Sequence, residues 1–482
     1  MTTTRAKHIN IPMILIAGAL AMFMGSLDGT IVNIALPTIA EAFDLTTTAA
    51  SWVCTIYLLV AAGSLLIVGK IADTVGYKKL FILGFIIFTL GSFCCGALPE
   101  LFDSYPVLLI CRVFQALGAV IMLVISPALV TSYLPPERQG KGMSLVMLFA
   151  SLGIALGPTL GGLITEYLSW HWVFFINVPI GIAAVIIGCI FLPKDHVSTA
   201  TMKGFDGVGA ALIFIGIAAL LFLISEGTVL GWGSLPIIVS LIIAVLGLGG
   251  FILRERKAKM PILDLKLFRD RSFSLGNIIY ALSFLIFSGA FFLLPFYLQD
   301  VMMFDSAHAG YIISTLSFGL MIAGIVTGAI YAKIAGKRKY LLAISLLFIA
   351  AGFFLLSHLN PFSSIGLVIA GLSCIGLGLG AVTTALSTML LGSAPKEKQG
   401  MVSSLVTLER MAPMTIGIAV FNLLMIAGCK YIANHMTTAE TPIAGMMPEI
   451  LSKGFDFCFI VGMILALVIF VLTFFIREKE SA

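Results

Sequence analysis

Apolar runs about 20 residues long recur fourteen times along this chain, separated by short polar stretches. They fall near 12–36, 49–70, 80–99, 105–133, 143–165, 172–192, 206–225, 232–253, 273–297, 308–332, 340–358, 364–391, 401–427 and 455–476. A helix needs roughly 20 apolar residues to cross the hydrocarbon core of a bilayer. The runs are continuously apolar rather than alternating, which excludes the strands of a membrane β-barrel. The pattern therefore predicts an all-α integral membrane protein with 14 transmembrane helices.

Charge tests that count independently. Only 11% of the 482 residues are charged and 60% are hydrophobic, whereas a soluble domain carries about 25% charge. Cytoplasmic loops are enriched in Lys and Arg. With the N-terminus placed inside and the spans alternating, 24 basic residues fall on the inner side and only Lys430 and Lys453 fall outside. Arg112 and Arg410 remain within spans. One miscounted helix would invert every later loop and destroy this split, so both termini are expected in the cytoplasm and the protein in the cell membrane. The first run has no cleavage signal and reads as a retained helix. The basic residues form no nucleic-acid patch. The eight cysteines lie in or beside apolar runs and show no metal-ligand or disulfide spacing.

An internal repeat appears at an offset of 260 residues. Pro135-Pro136-Glu137-Arg138-Gln139-Gly140 is followed by Ser144, and Pro395-Lys396-Glu397-Lys398-Gln399-Gly400 by Ser404. At offset 259, Gly69 pairs with Gly328, and each precedes a basic cluster. Two copies of a six-helix unit are expected, over 1–195 and 272–482, with a linker and an inserted two-helix hairpin over 196–271. Parallel six-helix halves around a central site are a transporter plan.

Five motifs then carry a family resemblance across essentially the whole chain. After span 2 the sequence reads Gly69-Lys70-Ile71-Ala72-Asp73-Thr74-Val75-Gly76-Tyr77-Lys78-Lys79. Span 4 carries Arg112-Val113-Phe114-Gln115-Ala116-Leu117-Gly118. Span 5 carries Gly153, Gly157, Pro158, Gly161 and Gly162. Span 1 carries Leu27-Asp28-Gly29-Thr30-Ile31-Val32-Asn33-Ile34-Ala35-Leu36-Pro37. The outer start of span 6 reads Trp170-His171-Trp172-Val173-Phe174-Phe175-Ile176-Asn177-Val178-Pro179. Together these resemble the major facilitator superfamily, and the last two its fourteen-helix drug:proton antiporter branch. In the second copy, Ala332 replaces the Asp of the loop signature. The resemblance implies two six-helix halves rocking about a site lined by spans 1, 4, 9 and 12, functioning as a monomer. It implies export of lipophilic, cationic small molecules driven by the proton gradient, with no other cofactor. It also implies that Asp73 faces the start of span 13 near Gly400, as part of a cytoplasmic gate with Gly69, Gly76, Lys78 and Lys79.

Physical chemistry adds candidates of its own. Asp28, Arg112, Glu409 and Arg410 are charges deep within spans, where each costs at least about 2.5–3.5 kcal/mol and reads as functional by default. Asp28 is the candidate proton carrier or cation contact, and Arg112 is a candidate to pair with an acid and depress its pKa in one state. Glu409 and Arg410 project about 100° apart on a helix, and Glu409 is the candidate cavity acid. Thr30, Asn33, Tyr57, Gln115, Tyr280 and Phe284 are candidate cavity-lining residues. The glycines of span 5 favour close helix contact and Pro158 weakens the local ladder, so a hinge seam between the halves is expected there. Export of a natural amphiphile such as a lipid, antibiotic or siderophore stays open, and a channel or receptor is a distant alternative. No His-Glu-x-x-His or Gly-x-Ser-x-Gly motif is present, and Gly63 to Lys70 misses the spacing of a phosphate loop.

Overall fold

A computed structural model describes residues 10–193, 206–257, 266–331, 333–334, 338–360, 363–393, 399–436 and 443–476. Among these, fourteen helices are long and apolar enough to span a membrane. The elements are α1 (Ile11–Ala42), α2 (Thr47–Val75), α3 (Tyr77–Leu101), α4 (Tyr105–Tyr133), α5 (Pro136–Tyr167), α6 (Trp172–Phe175) and α7 (Asn177–Phe191). The hairpin α8 (Gly207–Leu230) and α9 (Leu235–Lys257) follows. Then come α10 (Arg271–Phe296), α11 (Ser306–Ile330), α12 (Arg338–Leu356), α13 (Ile365–Ser393), α14 (Gln399–Met436) and α15 (Ile443–Thr473).

Backbone groups in lipid must be satisfied within the segment, which leaves helix as the default. Hence proline does not end these helices. The sequence suggested a stop near 36, yet α1 continues through Pro37 to Ala42. Pro158, Pro295 and Pro413 likewise lie inside α5, α10 and α14. Span 6 is the exception. It divides into α6 and α7 at Ile176, because Pro179 cannot donate to the carbonyl of Phe175 and the ladder is interrupted there. Side-chain caps mark the starts of α8, α10 and α11: Asp206 Oδ1 accepts from Gly209 N at 3.0 Å, Asp270 from Ser272 N at 2.9 Å and Asp305 from His308 N at 2.7 Å. Tight outer turns are made by Asp44, Asp103 and Met303, all with positive φ.

Helix packing joins the first six spans to the last six: α5 packs on α11, α2 on α14, and α1 on α10 and, less extensively, on α11. The hairpin lies at the edge of this seam. Its helix α8 touches both α2 and α14, with the ring of Phe214 filling the space over Gly63. The Trp52 indole N–H donates to Glu226 Oε1 at 2.8 Å and ties α8 to α2 near the outer surface. Helix α9 turns Leu241, Ile242, Val245, Leu246 and Leu253 outward toward lipid.

Candidate functional site

The deepest polar cluster gathers on Asp28, whose side chain has no solvent exposure. Arg112 Nη1 donates to Asp28 Oδ2 at 2.9 Å and to Gln115 Oε1 at 2.6 Å. Gln115 Nε2 donates to Asp28 Oδ1 at 2.7 Å and contacts Ser92 Oγ at the same distance. Asn177 Nδ2, at the α6–α7 break, donates to Asp28 Oδ1 at 3.1 Å. Arg112 Nε reaches the Val53 carbonyl at 3.2 Å, and the guanidinium lies 4.2 Å from the Tyr57 ring and 5.6 Å from that of Phe174. A buried ion pair is tolerable only when its remaining hydrogen-bonding capacity is met, and here it is met from α1, α2, α3, α4 and α7. Sequence inspection found Asp28, Arg112, Gln115 and Tyr57. It missed the roles of Ser92 and Asn177, whose only signal is a polar side chain inside an apolar run.

The other α1 candidates face elsewhere. Thr30 points at α5, with its hydroxyl bonding the Leu27 carbonyl at 3.1 Å and the Gly153 carbonyl at 3.5 Å. Asn33 crosses the seam, donating from Nδ2 to the carbonyl of Phe291 at 2.5 Å. Tyr280 and Phe284 are buried in the face of α10 and stack edge-on, with centroids 5.0 Å apart. Glu409 and Arg410 on α14 are half-buried, and both lie within electrostatic range of the Tyr280 hydroxyl. Glu409 Oε2 is shielded from solvent and has no hydrogen-bond partner among the described residues.

The glycines of α5 divide by task, and this corrects the expectation of a single hinge seam. Cβ atoms on Gly153 and Gly161 would strike the carbonyls of Phe23 and Ile31, and one on Gly157 would strike Thr30. Those three seat α5 against α1, within the first six spans. Only Gly162 faces α11, where a Cβ would strike the Ser306 carbonyl; the Pro158 carbonyl meets Gly310 of the same helix. Thr159 Oγ1 and Ser314 Oγ, 2.6 Å apart, extend this contact, as does the Ser306 N–H to Glu166 Oε2 at 3.1 Å.

This helix order, the α5–α11 seam and the buried α1–α4 ion pair fit one family, and the profile of the Major Facilitator Superfamily matches residues 18–418. The chain belongs to the Major Facilitator Superfamily. It is 33% identical over 412 residues to the riboflavin transporter RibZ of Clostridioides difficile, covering 85% of this chain and 87% of that one. It is 31% identical over 414 residues to the multidrug resistance protein Stp of Mycobacterium tuberculosis, covering 86% and 75%. It is 31% identical over 407 residues to the multidrug export protein EmrB of Escherichia coli, covering 84% and 78%. Among solved structures, a bacterial homologue of the human lysosomal transporter Spinster in an inward-facing, unoccupied conformation superposes with a TM-score of 0.66. It is 14% identical and covers 96% of each chain. The protein is a multi-pass transporter of the inner membrane.

The superfamily's loop signature is seen in part. Gly76 joins α2 to α3 in a single residue at φ 101°, a conformation that glycine adopts without strain. Lys78 Nζ donates to the carbonyls of Cys189 and Leu192, each at 2.8 Å, at the end of α7, where a cation complements the helix dipole. Among the described residues, nothing packs over Gly69. Lys79 is exposed at the start of α3. The Asp73 side chain and Ala332 lie outside the described residues, as do the surroundings of Gly400 in the first turn of α14 and with them the expected gate contact between α2 and α14.

Proposed function

We propose that this transporter exports lipophilic, cationic small molecules in exchange for protons by alternating access. The contrast between its two membrane acids carries the reading. Asp28 accepts hydrogen bonds from Arg112, Gln115 and Asn177, so a proton added there would remove the negative charge that these donors, Arg112 above all, surround. Glu409 has an oxygen to which nothing donates among the described residues, in a span beside the seam. We assign Glu409 to proton exchange and charge compensation of the cargo, and Asp28 to holding Arg112 while the outer side is closed. Arg410 and Tyr280 flank Glu409 and line its approach. The relatives named for multidrug export support a broad substrate range, and a monomer contains every group the scheme needs.

Proteoliposomes with an acidic lumen test this directly. Lipophilic cations added outside should release lumenal protons, and Glu409→Gln should abolish the release. A panel containing riboflavin, which names one relative's substrate, separates the drug reading from a vitamin reading. Folded protein that responds to no cation overturns the proposal; a response to riboflavin alone redirects it.

A further inference from the structure

A proline at position i cannot donate to the carbonyl of residue i−4. In α10, Pro295 thereby deprives Phe291 of its helical donor. The Asn33 side chain from α1 donates to this carbonyl, 258 residues away. Asn33 is 4% exposed, and its Oδ1 accepts a contact from Cys54 Sγ at 3.9 Å. The same offset relates Pro37 to Pro295 and Asn33 to Phe291, so the two proline breaks occupy equivalent turns of the first helix of each six-span set. A reciprocal bond runs from the α10 side to the residue after Asn33. Gln299, in a π-helical turn (Tyr297–Val301) that follows Pro295, donates from Nε2 to the Ile34 carbonyl at 3.2 Å and accepts from Ser306 Oγ at 3.2 Å. Such π turns are frequent where a helix serves a function.

We infer that Asn33 is the pin of the outer gate: its amide satisfies the carbonyl that Pro295 orphans and so holds α1 against α10 while the outer side is closed. The inference rests on the alternating-access reading above. When the outer ends part, both groups must exchange this bond for water or cargo. In the closed state a buried carbonyl without Asn33 would have no donor from α1, and unmade buried hydrogen bonds are costly. Asn33 is a positioning residue: it biases the conformational equilibrium and takes no proton.

The test places spin labels on azide-bearing residues that replace Tyr167 and Met303, both 75% exposed at the outer ends of the two six-span sets. Native cysteines are left in place. Distances are measured in nanodiscs with and without tetraphenylphosphonium. Asn33→Leu should raise the ratio of long to short distances on the order of tenfold, the effect of one unmade buried bond. In a Pro295→Ala background, residue 291 regains a helical donor, and the effect of Asn33→Leu should shrink severalfold. Asn33→Ala serves if the Leu variant fails to fold. An unchanged ratio in the folded Asn33 variant overturns the pin, as does an equal shift with and without Pro295→Ala. A wild-type protein with one fixed distance under every condition overturns alternating access itself, and is told apart because no variant is then needed to see it.

Discussion

Arg112 and Asp28 lie 84 residues apart in sequence and 2.9 Å apart in the fold, each at most 1% exposed. One guanidinium serves three acceptors on three helices, the carboxylate of Asp28, the side-chain carbonyl of Gln115 and the backbone of Val53. Arginine's planar fork suits this arrangement, and a lysine's single ammonium does not.

Breaking this pair from one side should therefore be expensive. Removing one partner of a buried ion pair costs about 3–5 kcal/mol, because the other charge is left uncompensated. Arg112→Gln should lower thermal stability in detergent sharply, and Arg112→Lys by less. The neutral double variant Asp28→Asn with Arg112→Gln should recover part of the loss. Intrinsic fluorescence melting checks the series. A double variant no more stable than Arg112→Gln alone would mean that the charge imbalance is not the cause.

Neighbouring glycines on α5 should fail in different ways. Gly161→Ala forces α5 from the Ile31 carbonyl of α1, within one packed unit, so thermal stability should fall by roughly 1–3 kcal/mol. Gly162→Ala forces α5 from the Ser306 carbonyl of α11, across the seam. It should populate an outer-open form with a smaller change in stability. Labelling of residues near Ser306 by a membrane-impermeant reagent distinguishes the two; equal labelling in both variants would refute the division.

The span count was legible because lipid imposes a length on every helix. Asp28 and Arg112 were each legible because charge is rare in membrane spans, but their pairing with one another was not. Other features follow from relations between helices that a single run does not encode. Asn33 reads as a polar side chain for a cavity, but its partner is a carbonyl freed by Pro295 on another helix. Gly153, Gly157 and Gly161 read as seam residues, but helical phase turns them to α1 and leaves only Gly162 for α11. Asn177 was hidden because Pro179 breaks its helix and swings its amide onto Asp28.

The two membrane acids should separate stability from transport. Glu409→Gln removes no hydrogen bond from Oε2, so its stability should stay within about 1 kcal/mol of wild type while proton-linked export is lost. Asp28→Asn introduces an NH2 group where Arg112, Gln115 and Asn177 already donate. It should therefore destabilise the fold as well. Parallel melting and transport assays decide; a Glu409→Gln protein that melts as early as Asp28→Asn would assign Glu409 a structural role.

Outside the membrane, Asp206 gives a pH test of the hairpin base. Burial works to raise its pKa, but the Gly209 N–H and the Arg254 guanidinium, 3.1 Å away, outweigh it and hold the carboxyl below its usual value. A depressed folded-state pKa gives stability that is present above the unfolded value of about 3.9 and lost as pH falls through the folded value. The α8 start should thus be insensitive to pH from neutrality down to about 5 and weaken only below about 4. Arg254 is half-exposed, so the ion pair itself contributes little and the helix cap contributes more. Asp206→Ala should cost about 0.5–2 kcal/mol, and Asp206→Asn, which can still cap, should cost less. Hydrogen exchange of the Gly209 and Ala210 amides, followed across this pH range in both variants, reads the cap locally. Loss of protection already at pH 6 in the wild type would contradict the depressed pKa.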